Sequence, residues 1–293
     1  MKSLHLRHLL EINLAMFFIA TSGALGRYVQ LPVPVTIGVR AILAFVLLFL
    51  FCYWSRIPLK IQRQDIWAIL VSGILMGAHW ITYFYALQLS TVAIGMLSLF
   101  TYPVITAFLE PILLKTKFKR IHILLALLVL TGMYFLSPNL DFENSYTIAI
   151  AFGLISAFCY ALRNILLKTK VADYHGSTLM VYQTGFVGLV LCPFLLSIDF
   201  EVMVGQWEAL VALAVLTTAI GHTLFLMTFK HFTITTVSII SSIQPVYGIL
   251  IGAIFLSEIP KATTLFGGVL ILSSVIIESV RSKRDLKKEP IED

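Results

Sequence analysis

Two histidines, His79 and His222, lie deep inside apolar stretches, in "GAHWITYFY" (Gly77 to Tyr85) and "AIGHTLF" (Ala219 to Phe225). An imidazole titrates near neutral pH, so in such a place it can bind a carboxylate or carry a proton. The other reading is an interior residue satisfied by one hydrogen bond. Trp80, Tyr83 and Tyr102 stand close by in the chain and offer flat walls for a small molecule, or core packing. Hydroxyls form a second group. "SIISSIQPVYGILIGAIFLSE" (Ser238 to Glu258) carries Ser238, Ser241, Ser242 and Gln244 ahead of Pro245, and "MLSLFTYPVITAFLEPILLKT" (Met96 to Thr116) carries Ser98, Thr101 and Tyr102 around Pro103. Steps of three and four put such hydroxyls on one helix face. A proline inside a helix frees a carbonyl one turn earlier and kinks the axis.

As cavity lining, these residues give a substrate-binding set of His79, Trp80, Tyr83, Ser98, Tyr102, His222, Ser238, Ser242 and Gln244. As packing, the hydroxyls bond their own backbone and let helices approach. Charges inside apolar stretches are few. Arg40 is expected to snorkel outward or pair within the bundle in a structural role. Arg163 and Asn164 either meet an anion or anchor a helix among headgroups, and a Glu110–Arg163 pair is expected as a gate. Pro103, Pro245 and Glu258 are read as structural.

The elements that hold these residues follow from composition. The 293-residue chain is 59% hydrophobic and 12% charged, with a mean hydropathy of +0.93. A soluble domain carries about 25% charged residues, so the chain is read as an integral membrane protein. Its net charge of +6 sits in short clusters without a continuous basic face, which argues against nucleic acid. Cys52, Cys159 and Cys192 lie in apolar segments and act as small hydrophobes. A spanning helix needs about 20 apolar residues. Ten spans result, at 9–29, 33–54, 65–87, 91–114, 120–137, 146–167, 177–197, 207–229, 233–256 and 262–280. The first is expected to be retained rather than cleaved.

Lys and Arg orient the chain. With a cytoplasmic N-terminus, the inner segments are assigned Lys2, Arg7, Arg56, Lys60, Arg63, Lys115, Lys117, Lys119, Arg120, Lys168, Lys170, Lys261, Arg281, Lys283, Arg284, Lys287 and Lys288. The outer connectors are assigned Lys230, with Arg27 at a helix end, and the acidic turns "SPNLDFENSY" and "SIDFEVMVGQ". Lys230 and His231 are thus expected at an outer turn. Both termini are expected on the cytoplasmic side of a cytoplasmic (inner) membrane.

Sliding the chain by 142 residues lays Pro103 on Pro245, Val104 on Val246, Thr91 on Thr233, Ile112 on Ile254 and Leu114 on Leu256. His79 and His222 fall at nearly equivalent positions, as do Arg40 and Gln183. Five spans in each half force the second copy to enter the membrane upside down. The expected fold is all-α, with two inverted five-helix repeats around a central cavity: residues 1–138, residues 145–281, and a charged cytoplasmic tail at 282–293. Inverted repeats recur in secondary transporters.

Arg40, "YALQLSTVAIGMLSLFTYPV" (Tyr85 to Val104) and "SSIQPVYGILIGAIFLSE" (Ser241 to Glu258) resemble the drug/metabolite transporter superfamily, and within it the ten-helix exporters built from two EamA domains. One departure is Thr116, where a closing Glu is usual, with Glu110 earlier instead. The resemblance implies a basket of ten helices around a cavity lined by spans 1, 3, 4, 6, 8 and 9. It also implies a carrier exporting small polar metabolites, amino-acid-like or related, by alternating access. Partners expected are the lipid bilayer and a small-molecule substrate, with the chain a monomer or weak homodimer. The sequence has no G-x-x-x-x-G-K loop, so an intrinsic P-loop ATPase is unsupported. No cofactor or metal is expected. The alternative is a membrane-embedded lipid or prenyl-modifying enzyme, which would need carboxylate pairs or a nucleophile with its base. Neither stands out among 15 acids that fall mostly in connectors and the tail.

Overall fold

The computed structural model describes residues 2–114, 120–136, 143–168, 170–228, 230–231, 237 and 241–286. Every regular element among them is helical. In order they are α1 (Lys2–Tyr28), α2 (Val33–Trp54), α3 (Ile66–Leu89), α4 (Val92–Leu99), α5 (Tyr102–Leu114), α6 (Ile121–Leu136), α7 (Ser145–Lys168) and α8 (Gly176–Leu191). After a 3₁₀ stretch at Cys192–Ser197 come α9 (Phe200–Val204) and α10 (Trp207–Ala212). A π-helical stretch (Leu213–His222) runs into α11 (Thr223–Thr228), followed by α12 (Gln244–Leu256) and α13 (Ala262–Leu286).

Six helical stretches are long and apolar enough to cross a membrane: Val33–Trp54, Arg63–Leu89, Val92–Leu113, Ser145–Lys168, Gly176–Ser197 and Trp207–Thr228. Ile121–Leu136, Gln244–Leu256 and Ala262–Ile277 are apolar but shorter. The bundle is greasy outside: Phe49, Phe51, Ile74, Leu127, Leu189 and Phe255 are all exposed. Its polar side chains turn inward, because in lipid a polar group gains partners only from other protein groups or trapped water. Tyr53, Trp54, Trp67 and Trp207 are exposed at helix ends, where amphipathic rings favour the headgroup layer.

Local chemistry sets the helix starts. Pro32 and Pro34 flank the first residue of α2, the Thr91 hydroxyl accepts from Ile94 N (3.3 Å) to cap α4, and His175 Nδ1 accepts from Ser177 N (3.2 Å) to cap α8. Pro103 and Pro245 do not kink a continuous helix as expected. Each is the second residue of a new one, α5 and α12, because the first turn is where a missing N–H costs least. α4 and α5 are therefore two pieces divided at Phe100–Thr101.

α3 runs along α7, α2 along α8, and α6 along α13, while α1 packs on α12 and on the π-helical stretch. The α6–α13 crossing is close. A Cβ on Gly267 would sit 2.5 Å from the Gly132 carbonyl oxygen.

Two contacts correct the expected sidedness. His231 stacks on His8 at 3.8 Å between ring centroids, so Lys230 and His231 lie at the end of the bundle where the chain begins. Glu258 accepts from Arg27 Nε (3.0 Å) and from Val92 N (2.8 Å), so Glu258 and the neighbouring Lys261 lie at the opposite end. Parity accounts for this on the expected ten spans: each span reverses direction, so the connector after the eighth returns to the starting end.

Candidate functional site

A small closed cavity lies between α1, α2, α3, the α4–α5 break, α7, the π-helical stretch and the start of α12. Its lining includes Arg40, His79, Trp80, Tyr83, Tyr102, Tyr160, His222 and Gln244. Six of the nine sequence-predicted binding residues meet there: His79, Trp80, Tyr83, Tyr102, His222 and Gln244. The free space is about 20 Å³. That is room for about one water molecule, so the site is shut.

The breaks and the π-stretch aim these groups. Dividing α4 from α5 brings Leu99, Phe100 and Tyr102 to the cavity wall, and starting α12 at Gln244 brings that amide to it. π-Helical turns recur at functional sites because they re-aim side chains. Here Thr218 Oγ1 donates to the Leu213 carbonyl (3.1 Å) and accepts from Arg40 Nε (2.6 Å), and His222 closes the same stretch.

Arg40 is 1% exposed, and its guanidinium stands 4.3 Å from the Trp80 ring centroid. It pairs within the bundle, one of the two fates expected, yet it also lines the cavity and so belongs to the site. His79 Nδ1 meets Ser156 Oγ at 2.7 Å, and Ser156 Oγ donates to the His79 carbonyl at 3.0 Å. The serine has one proton, so both bonds form only when His79 Nδ1 carries its own. His79 stacks on Tyr160 (4.6 Å between centroids), Tyr160 meets Tyr102 edge-on (5.0 Å), and Trp80 leans on His222 (5.7 Å). Arg40 Nη2, Trp80 Nε1 and His222 Nδ1 are buried without a hydrogen-bond partner among the described residues. The Tyr83 hydroxyl, beside Ser22, makes no bond of good geometry either.

Several expectations change. Ser98 is fully buried, but its hydroxyl bonds the Ile94 (2.8 Å) and Gly95 (3.0 Å) carbonyls, and it packs where a Cβ on Gly153 would overlap it. It stands where two helices meet and is not in the cavity wall. Ser242 is half-buried in the turn before α12, outside the cavity wall. Ser238 lies outside the described residues. The Glu110–Arg163 pair does not form: Glu110 accepts from Lys168 Nζ (2.6 Å), one helical turn beyond Arg163. Arg163 is 0% exposed rather than anchored among headgroups. It donates to Gln183 Oε1 (3.2 and 2.8 Å) and Asn164 Oδ1 (3.0 Å). Sequence reasoning missed Ser22, Ser156, Tyr160 and Thr218 as parts of the site. For Arg40 the signal was present, since an ionisable residue inside a span is functional by default.

Salt-linked ties close both ends of the bundle. At the starting end, Asp65 accepts from Lys170 Nζ (2.5 Å) and from the Tyr174 hydroxyl (2.6 Å), fastening the α2–α3 connector to the α7–α8 turn. The Asp65 bond raises the pKa of Lys170 above its ordinary value and does the same for Tyr174. At the other end, Glu258 joins α1 to α4 as described, and Arg27 Nη1 also donates to the Gln88 carbonyl (3.2 Å). A much larger hollow of about 880 Å³ lies between α2, α3 and α8, lined by Ile42, Phe45, Phe49, Phe186 and Leu189 among others. Its walls hold no charge, so it suits acyl chains and leaves polar chemistry to the small cavity.

A helical bundle with an apolar exterior and a closed polar centre is a membrane protein. The model of the EamA-like transporter family matches residues 8–137 and 147–280, and the chain belongs to that family. It is 26% identical over 275 residues to the pseudopaline exporter CntI of Pseudomonas aeruginosa (strain UCBPP-PA14), covering 92% of this chain and 95% of that one. It is 24% identical over 290 residues to the threonine/homoserine exporter RhtA of Salmonella typhimurium (strain SL1344), covering 96% and 93%. A solved crystal structure superposes with a TM-score of 0.64 at 14% identity, over 93% of this chain and 96% of that one, which speaks for a shared fold alone.

Proposed function

We propose that the chain is a secondary carrier of a cytoplasmic membrane that exports small polar metabolites by alternating access, with both termini in the cytoplasm. The architecture we infer is ten spans in two inverted five-helix repeats, residues 1–138 and 145–281. Support comes from the symmetry of the packing. Exchanging span n with span n+5 turns the α3–α7 contact into that of α1 with the π-bearing segment, and the α1–α12 contact into that of α4–α5 with α7. The α2–α8 and α6–α13 contacts map onto themselves. Two halves related in this way can open alternately on a site between them.

The observation that carries the reading is the closed cavity at the centre with ties at both ends. It fits a carrier caught between its open states, and a substrate enters only when one end parts. Residues proposed to hold the substrate are His79, Trp80, Tyr83, Tyr102, His222 and Gln244, joined by Arg40. The named activities of the two relatives, together with the family, favour a carrier over a lipid- or prenyl-modifying enzyme. The test is untargeted mass spectrometry of the medium from cells that express the full chain or an empty vector. Any enriched compound is then followed in proteoliposomes with and without a pH gradient. Saturable flux is expected, lost in His222→Leu while the protein still reaches the membrane. Absence of any enriched compound would sink the export reading.

A further inference from the structure

Arg40 lines the cavity and the Arg163 guanidinium lies 5.9 Å from the ring centroid of Tyr160 in its wall, and among the described residues no carboxylate joins them. Arg40 and Arg163 are 1% and 0% exposed, and all their hydrogen bonds among the described residues go to Thr218, Gln183, Asn164 and the Met180 sulfur. The sequence itself has no Asp or Glu between Glu11 and Asp65, between Asp65 and Glu110, between Glu143 and Asp173, or between Glu208 and Glu258. The acids at those limits are engaged near the bundle ends where their partners are seen: Asp65 with Lys170, Glu110 with Lys168, Glu258 with Arg27. A buried cation without a counter-charge is costly, and such charges are ordinarily paired. A charge of this kind leaves room for a counter-charge from outside the chain.

The groups left unmade specify what would complete it. Arg40 Nη2 and Trp80 Nε1 can only donate. The Tyr83 hydroxyl can donate as well, and His222 Nδ1 does so in one tautomer. The residues that carry these atoms line one cavity, from α2, α3 and the π-helical stretch. Donors on the residues of one cavity, beside a fixed positive charge, call for an acceptor with negative charge, and a planar carboxylate matches a guanidinium edge.

We propose that the substrate is a small carboxylate, its acid group docked on Arg40 Nη2 and Trp80 Nε1 with His222 at its side, so that substrate supplies the charge the empty site lacks. This inference rests on the export reading and deepens it. Arg40 then acts in binding, and the aromatic wall of Tyr83, Tyr102 and Tyr160 holds the rest of the molecule.

The probe is the metabolite pool of the expressing cell. Media from cells carrying the wild-type chain, Arg40→Gln, Arg40→Lys, Trp80→Phe or empty vector are compared by mass spectrometry, with membrane levels read by immunoblot. Wild type is expected to enrich carboxylic acids or amino acids, at least tenfold less with Arg40→Gln, and with partial recovery in Arg40→Lys. Trp80→Phe keeps the aromatic face and loses one donor, so a several-fold higher KM with similar maximal flux is expected even if Arg40→Gln fails to reach the membrane. Enrichment confined to phosphate esters, polyamines, nucleosides or free sugars overturns the proposal and leaves export standing. So does undiminished carboxylate export in both Arg40→Gln and Trp80→Phe. No enrichment with wild type removes the export reading, and the proposal with it.

Discussion

At the scale of single residues, an intramembrane polar group is decided by where its hydrogen bonds go. Ser98 and His79 illustrate the two outcomes. Both are buried, but Ser98 spends its proton on carbonyls of its own helix, whereas the His79 ring reaches across to Ser156 on α7 and stands in the cavity wall. Serine hydroxyls bonded back to the preceding turn contribute little that alanine would lose. Ser98→Ala is therefore expected to keep flux within about twofold of wild type and to change stability by about 1 kcal/mol or less, measured by transport and by thermal unfolding. A tenfold loss of flux at normal membrane level would return Ser98 to the binding site. Ser242 sits in the turn before α12 and not in the cavity wall.

Elements decide which residues share a depth. The α4–α5 break, the start of α12 and the π-helical stretch each interrupt regular winding, and each interruption delivers a side chain to the cavity: Tyr102, Gln244 and His222. Helix ends carry their own chemistry. His175 caps α8 through Nδ1, and its pKa lies below the ordinary 6.5, chiefly because it is partly buried and further because Lys230 is near. A depressed histidine pKa means that the unfolded chain takes up the proton first. The contribution is fully present above about 6.5 and is lost as pH falls through that value toward the folded one. Thermal stability should drop between about pH 7 and pH 5, and His175→Asn, which keeps the cap acceptor without titrating, should flatten that drop. An identical pH profile in the variant would show that the cap does not contribute.

At the scale of the whole molecule, the ten-span reading makes a sided prediction that no single helix makes. His231 stacks on His8, and Glu258 holds Arg27 and the start of α4, so Lys230 and Lys261 belong to opposite ends of the bundle. Cysteines introduced at both positions in a chain whose Cys52, Cys159 and Cys192 are replaced by alanine should label from opposite faces of intact cells. Lys230→Cys is expected to react only after permeabilisation, and Lys261→Cys with an impermeant reagent added outside. Labelling of both from one face would break the inverted repeat. The closed cavity is a property of the same scale, because it depends on ties at both ends: Asp65 with Lys170 at one, Glu258 with Arg27 at the other.

The sequence alone determined the solvent and the helical class, and it singled out six residues that the fold brings to one cavity: His79, Trp80, Tyr83, Tyr102, His222 and Gln244 were legible because polar or aromatic groups inside apolar runs are few. Composition and spacing are sums over neighbours in the chain, and transfer into lipid depends on little else. Tertiary structure decided the partners. Glu110 chose Lys168 over Arg163, Arg163 turned to Gln183, and Arg40 reached Thr218 across a π-turn that no spacing rule foretold. Those choices depend on the rotation and depth of one helix against another, which packing fixes to within an ångström and the linear pattern leaves open.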